Sequence, residues 1–274
     1  MFFSYYVFEK REQGLPGSGS ESEAQEAPEA GAERRALSFP KVHPMERRDI
    51  WIMLIITLAY AAVAFWGLGD KKAPESFYSF EGDAYSFTLT LDEPTEVTDI
   101  MYYTGLHTGS YALRWSENGA DWSQAVTFEQ SYAKLFNWLY VDFEPATMKY
   151  IQIWARNLPL EMGELALFDG EGKLIDASRI EYPEAAGVLF DEQELVPEAP
   201  SYLNSAYFDE IYHARTAYEH IRNVKPYEVS HPPLGKIIIG IGVRLFGMTP
   251  FGWRFMGTLF GVLMLPIMYV FLKN

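Results

Sequence analysis

The chain has no cysteine in its 274 residues. A disulfide, a zinc–thiolate site and a cysteine nucleophile are therefore all excluded. This suits a bacterial surface or membrane protein, although one missing residue type places a chain nowhere by itself. Basic residues are scarce. Twenty-two Lys and Arg stand against 37 Asp and Glu, a formal net charge of −15. A nucleic-acid binder shows a basic face, so this balance argues against that class. The acid is concentrated in the N-terminal tail and in residues 161–198, and two long runs are almost free of charge.

The first such run is Ile50 to Leu68, IWIMLIITLAYAAVAFWGL. About nineteen uncharged residues would span roughly 28 Å as a helix, close to the thickness of a bilayer core. Trp51 and Trp66 stand near its ends, where interfacial indoles belong. The alternative is a buried helix of a soluble protein. Arg34, Arg35, Lys41, Arg47 and Arg48 precede the run, whereas Lys71 and Lys72 follow it beside Asp70 and Glu75. The positive-inside rule then puts the N-terminus in the cytoplasm and the stretch from 70 to about 248 outside. The second run, Phe251 to Leu272, carries one charge, Arg254, and would return the chain to the cytoplasm. Residues 12–40 are Glu, Ala, Gly, Ser and Pro, a composition that predicts disorder. Met1 to Phe8 is apolar and reads as the stub of another membrane helix or as an interfacial anchor.

Between the two runs the apolar period is two. Tyr85 to Leu91, Tyr111 to Trp115 and Lys149 to Trp154 alternate, separated by turn signals at Asp92-Glu93-Pro94, Glu117-Asn118-Gly119 and Asp169-Gly170. The 18 Tyr, 19 Phe and seven Trp suit such a core. The pattern predicts an antiparallel β-sandwich of roughly a hundred residues. The hairpin Tyr111-Ala-Leu-Arg-Trp-Ser-Glu-Asn-Gly-Ala-Asp-Trp122, the strand Met148 to Trp154 and the closing Glu164-Leu-Ala-Leu-Phe168 resemble those of discoidin-like (galactose-binding-like) jelly rolls. That resemblance implies glycan binding through loops at one end, with His107, Tyr132 and Trp138 as stacking candidates and plain packing as their alternative. Trp115 and Trp122 read as core. No metal-ligand spacing stands out, although domains of this kind sometimes hold a structural calcium through backbone oxygens.

The chemistry is expected further on. Phe208, Ile211, Tyr212, Tyr218 and Ile221 form one apolar stripe at helical spacing, which predicts an amphipathic helix lying along the outer membrane surface. Asp209 and Glu210 open it, and Ser230-His231-Pro232-Pro233-Leu234-Gly235-Lys236 follows. An acidic pair at a helix start has a plain explanation in capping and the helix dipole. Together with the His-Pro-Pro-Leu-Gly-Lys turn, however, it resembles the first extracytoplasmic loop of protein O-mannosyltransferases, integral membrane C-type enzymes that use polyprenyl-phosphate sugars. The likeness covers roughly residues 200–272.

That resemblance implies Asp209 as the catalytic base facing an acceptor hydroxyl, Glu210 as its acidic partner and His231 directed at the donor or acceptor pocket. A carboxylate is the group to take the proton of a Ser or Thr hydroxyl as the bond to the anomeric carbon forms. Lys236, Arg215 and Arg254 are candidates for the donor phosphate, with snorkelling to lipid headgroups as the alternative. His213, Glu219 and His220 read as surface residues. The implied reaction is an inverting transfer of mannose from a polyprenyl-phosphate carrier to a Ser/Thr hydroxyl of an extracytoplasmic protein. Its implied partners are membrane lipid, the lipid-linked donor and the acceptor protein. It requires no cofactor, and a divalent metal is compatible with it but not needed. The alternatives are the same enzyme type acting on a lipid or cell-wall acceptor, and a membrane-tethered glycan-binding module without catalysis.

The expected fold class is a mixed membrane protein: transmembrane helices, an extracytoplasmic antiparallel β-sandwich (jelly roll) and amphipathic interfacial helices. The expected divisions are a cytoplasmic tail at 1–48, transmembrane helices at 49–69 and 250–272, the sandwich at 73–180, an acidic linker at 181–200 and the catalytic-type loop at 201–248. Two spans cannot build the family's donor cavity, so the resemblance is to the N-terminal portion of such an enzyme.

Overall fold

The computed structural model describes residues 44–273. The tail expected to be disordered, the segment Met1 to Phe8 and the basic residues Arg34, Arg35 and Lys41 lie outside the described residues. The elements run α1 (Arg47–Ala64), β1 (Tyr78–Phe80), β2 (Ser86–Thr104), β3 (Gly109–Ser116), β4 (Val126–Gln130), β5 (Trp138–Tyr140), β6 (Ala146–Ala155), β7 (Leu160–Asp169), β8 (Ile180–Glu181), α2 (Glu210–Ile221), α3 (Pro233–Phe246) and α4 (Pro250–Lys273).

The strands form one curled antiparallel sheet in the order β1-β7-β2-β6-β3-β4, with β5 and β8 also pairing with β2. The all-β reading of this region holds. The turn expected at Asp92-Glu93-Pro94 does not: β2 runs through it with a register shift between Thr90 and Thr95. Pro94 has no N–H for the ladder, and the strand answers with a bulge rather than a reversal. Arg179 holds the bulge from outside through Asp92 at 3.0 Å and Glu93 at 3.0 Å. Before the bulge β2 pairs with β6 and β8; after it the partners are chiefly β5 and β7.

The second half of β2 is buried on both faces. Ile100 and Tyr102 enter the main core with Phe80, Leu89, Tyr111, Leu113 and Ile151. Met101 and Tyr103 point the other way, into a second core with Leu135, Phe136, Trp138, Ala166 and Ile211. A run apolar at every position is the mark of such a strand. The cover over the second face is α2.

Two expectations are corrected here. Residues 181–200 are not a free linker, because Ala186, Leu189 and Phe190 complete the main core and Phe190 stacks on Tyr182 at 4.8 Å. Their acid composition hid a few well-placed apolar side chains. Helix α2 does not lie along a membrane surface with its stripe in lipid. Ile211 is fully buried against the sheet, Tyr218 meets the Phe136 ring edge-on at 5.1 Å, and Ala214 packs with Val243 and Trp253. Phe208, expected on the stripe, lies before the helix at positive φ and is exposed.

By length and composition α4 is the one helix among the described residues able to cross a membrane. Helix α1 is shorter than the apolar run suggested, since it ends at Ala64 and Trp66 lies in the turn beyond. From Ile50 to Ala64 its uncharged part measures roughly 22 Å, below the thickness of about 30 Å. α1 and α4 pack antiparallel. Lys273 Nζ reaches Asp49 at 3.0 Å at one end, and Phe65 meets Phe255 at 5.5 Å at the other.

α3 starts with Pro233 in its first turn, where the missing N–H costs nothing, and stops at Gly247 with φ 79°. It leans closely on α4. A Cβ on Gly242 would stand 2.3 Å from the Gly252 carbonyl oxygen. That neighbour is backbone and cannot swing aside. We therefore expect Gly242→Ala to push α3 from α4 and to destabilise the helical part by about 1–3 kcal/mol. Thermal unfolding in detergent checks this, and an unchanged midpoint would refute the close packing.

Candidate functional site

The start of α2 separates the two acids that sequence reasoning had paired. Asp209 is the residue before the helix; it is exposed and its carboxylate makes no capping hydrogen bond. Glu210 turns the other way and is fully engaged. Its carboxylate accepts from Arg254 Nη2 at 2.7 Å and Nε at 3.0 Å, from Trp253 Nε1 at 3.3 Å and from the Tyr207 N–H at 3.1 Å. Arg254 also donates to the carbonyls of Leu68 at 2.9 Å, Tyr202 at 2.7 Å and Ser205 at 3.1 Å. Charge-assisted bonds of this kind are the stronger sort. This one cation ties the end of α1, the loop at 202–205, α2 and α4 into a single junction. Glu210 and Arg254 line a largely apolar cavity of 450 Å³ with Trp66, Tyr202 and Tyr207.

Asp209 lines a different cavity of 530 Å³, together with His231, His213, Tyr132 and Tyr227. The structure thus brings three of the sequence-predicted residues, Asp209, His231 and Tyr132, to one site. His231 and His213 meet edge to face at 5.3 Å. The His231 Nδ1 lies 3.1 Å from Ser230 Oγ and 3.3 Å from Glu228 Oε1. Glu228 was not foreseen, and it organises the turn. It accepts from the Ser230 N–H at 2.6 Å, from the Ser230 hydroxyl and from the His231 N–H at 3.3 Å, and it pairs with Lys236. Lys236 and Ser230 hold its carboxyl well below the usual carboxylate range. The local signal was Glu228-Val-Ser-His231, a carboxylate three residues ahead of an imidazole.

The remaining predicted residues sit elsewhere. Lys236 is buried and spends its ammonium on Glu228, including the main-chain carbonyl at 3.0 Å. Arg215 is buried beside Glu219, its Nε donating at 2.7 Å, and its guanidinium lies over the Tyr132 ring at 4.4 Å. Glu219, expected at the surface, is buried because it serves Arg215 and the Tyr227 N–H. His107 and Arg215 line a further cavity of 530 Å³. Trp138 cannot stack on a sugar from where it stands. It is 2 % exposed on β5, against Tyr103 at 5.2 Å. Trp115 is part-buried against Phe143, and Trp122 is half-buried under Arg114 at 4.6 Å.

Sequence spacing did not reveal one acidic cluster. Glu164 on β7 and Asp191 and Glu192, which follow β8, bring three carboxylates within 4.8 Å of one another, so this group could hold a cation. Glu164 is fully buried, and its Oε2 has no hydrogen-bond partner among the described residues. Burial pushes its carboxyl up from 4.5 to about 8. The folded protein therefore keeps a proton that the unfolded chain releases, and stability falls as pH rises from about 4.5 to about 8. Glu164→Gln removes that dependence. It should raise the melting temperature by roughly 2–4 °C at pH 9 and leave it nearly unchanged at pH 4. Melting curves across that range, recorded in a chelator, decide it; equal shifts at both ends would be the wrong result.

No family model matches the chain. Over 84 residues it is 39% identical to a polyprenol-phosphate-mannose–protein mannosyltransferase of Mycobacterium tuberculosis, a match that covers 31% of this chain and 14% of that protein. A protein of the same description from Mycolicibacterium smegmatis is 35% identical over 75 residues, 25% of this chain and 14% of the relative. The matched stretch is thus a small part of the length of these relatives. Among solved structures, the C-terminal domain of a chitobiase from Bacteroides fragilis is similar at TM-score 0.29 and 14% identity, covering 37% of this chain and 75% of that one. The protein designated CpGH89CBM32-6, produced by Clostridium perfringens, is similar at TM-score 0.28 and 13% identity, covering 38% and 83%. At those scores neither structure decides anything about this chain.

Proposed function

We propose that this chain carries the acceptor-side loop of a membrane glycosyltransferase that moves mannose from a polyprenyl-phosphate carrier to a Ser or Thr hydroxyl outside the membrane. The observation that carries the reading is the cavity that Asp209 and His231 line together, with no ion pair to the Asp209 carboxylate among the described residues. The local identity to the two mycobacterial mannosyltransferases supports it.

In this mechanism Asp209 accepts the proton of the acceptor hydroxyl. The hydroxyl oxygen attacks the anomeric carbon, the bond from that carbon to the phosphate oxygen breaks, and the polyprenyl phosphate leaves with the electron pair. One displacement inverts the configuration. Asp209 suits the role because its carboxylate is neither capped nor paired. Glu210 does not share it; its negative charge is spent on Arg254, and its work is to hold α2 in register with α4. His231 is held at its Nδ1 side by Glu228 and Ser230 and lines the cavity. Helix α4 anchors the site at the membrane, with the cavity on the outer side.

Asp209→Asn keeps the shape and removes the base. In the full-length membrane protein it should lower mannose transfer to a Ser/Thr peptide by at least about 100-fold, the scale of general-base catalysis. Transfer is read with a radiolabelled donor, and the melting temperature serves as a folding control. A folded Asp209→Asn protein that still transfers at the native rate would falsify the assignment.

A further inference from the structure

Two hydrogen-bond donors at the seam between the sheet and α2 have no acceptor among the described residues. The Tyr132 hydroxyl and Arg215 Nη1 are both buried atoms without a hydrogen bond. Arg215 is 4 % exposed, and its Nε is already committed to Glu219. Unpaired buried donors are rare in folded proteins, and each calls for a partner. These two lie together. The guanidinium stands 4.4 Å from the Tyr132 ring and 4.8 Å from that of Tyr227, and the two rings are 4.1 Å apart. Burial raises the Tyr132 phenol to about 12, so it stays a donor at neutral pH.

This stack stands between two cavities. One holds Asp209 and His231. The other is walled by His107, Thr108 and Pro159 from the sheet's loops and by Val224 and Pro226 from the segment after α2, with Arg215 at its base. Tyr227 lines both.

We propose that the two cavities form one acceptor groove along the seam, in which an extended polypeptide runs past Asp209 and gives a main-chain carbonyl to Tyr132 and Arg215. The inference rests on the transferase reading for its acceptor, but its geometry is independent of the chemistry. A carbonyl is an acceptor only, which is what two orphan donors require. The outer walls mix apolar Leu106, Leu158 and Pro159 with charged Lys225 and Glu219, a mixture that suits the varied side chains of a peptide. The sheet then has a task in the reaction, that of supplying one wall of the groove.

The test uses the full-length protein in lipid nanodiscs and a fluorescent Ser/Thr peptide. Anisotropy gives the Kd, and transfer assays give the peptide KM. Tyr132→Phe removes only the hydroxyl and should weaken binding about three- to tenfold. Thr108→Trp fills the outer cavity and should weaken it tenfold or more. Tyr140→Phe, on the sheet away from the seam, should keep the native Kd. Native-like Kd in both seam variants overturns the groove, as does a wild type that binds a mannose oligosaccharide and not the peptide. Transfer by Thr108→Trp at the native peptide KM would sink the groove and leave the transferase reading standing. Peptide binding that the seam variants lose, in a wild type that transfers no sugar, would sustain the groove and sink the transferase reading.

Discussion

The second half of β2 governs the rest of the structure, because both of its faces must be covered. Ile100 and Tyr102 are satisfied by the main core, but Met101 and Tyr103 need a second cover on the outside of the sheet. Helix α2 provides it. Burying Ile211 there contributes roughly 1.5–3 kcal/mol and fixes where the helix begins. The position of Asp209 follows from that start. The aromatic contacts of Tyr132 follow as well, since the loop before β5 lies under the same helix and Tyr132 stacks on Tyr212 at 4.9 Å.

The junction at Arg254 adds a second constraint. A guanidinium on a long apolar helix is costly unless its donors are met, and here a carboxylate and three carbonyls meet them. That junction pulls Glu210 to one side of α2 and leaves Asp209 on the other. Adjacent acids thereby acquire different work: one keeps its charge neutralised inside a scaffold, and the other faces an open cavity without a partner. Lys236 and Glu228 repeat the device under the His231 turn.

What was legible in the sequence was whatever depends on period and on local motif. The alternation of Phe87, Leu89 and Leu91 gave β2, and the Asn118-Gly119 hairpin and the apolar run of α4 were equally plain. Asp209 and His231 stand out through a motif, and both line one cavity. What failed depends on contacts between distant segments. The stripe of α2 fits a lipid surface and a protein surface equally well, and only Tyr103 and Phe136, about a hundred residues earlier by the numbering, decide between them. Residues 181–200 were judged by average composition, which weighs the acids and overlooks Leu189 and Phe190. Arg215 and Lys236 were read as free cations because their partners, Glu219 and Glu228, attract no notice as letters in a sequence. A charged letter beside an apolar run suggests a free cation; a carboxylate next to it in the fold commits at least part of its donor set to the scaffold.

The placement of the sheet between α1 and the acidic loop has a physical consequence beyond connectivity. An amphipathic helix held only by lipid can slide and roll in the interface, because lipid offers no fixed holes for its side chains. Helix α2 instead has Ile211, Tyr218 and Ala214 seated in protein on two sides. Its first residue cannot rotate without unseating them. The base proposed above must lie within hydrogen-bond reach of a hydroxyl, and such seating serves that more than any extra charge. The sheet thus acts on Asp209 through packing alone, and the same packing that fixes the start of α2 buries Arg215 beside the Tyr132 ring at the seam.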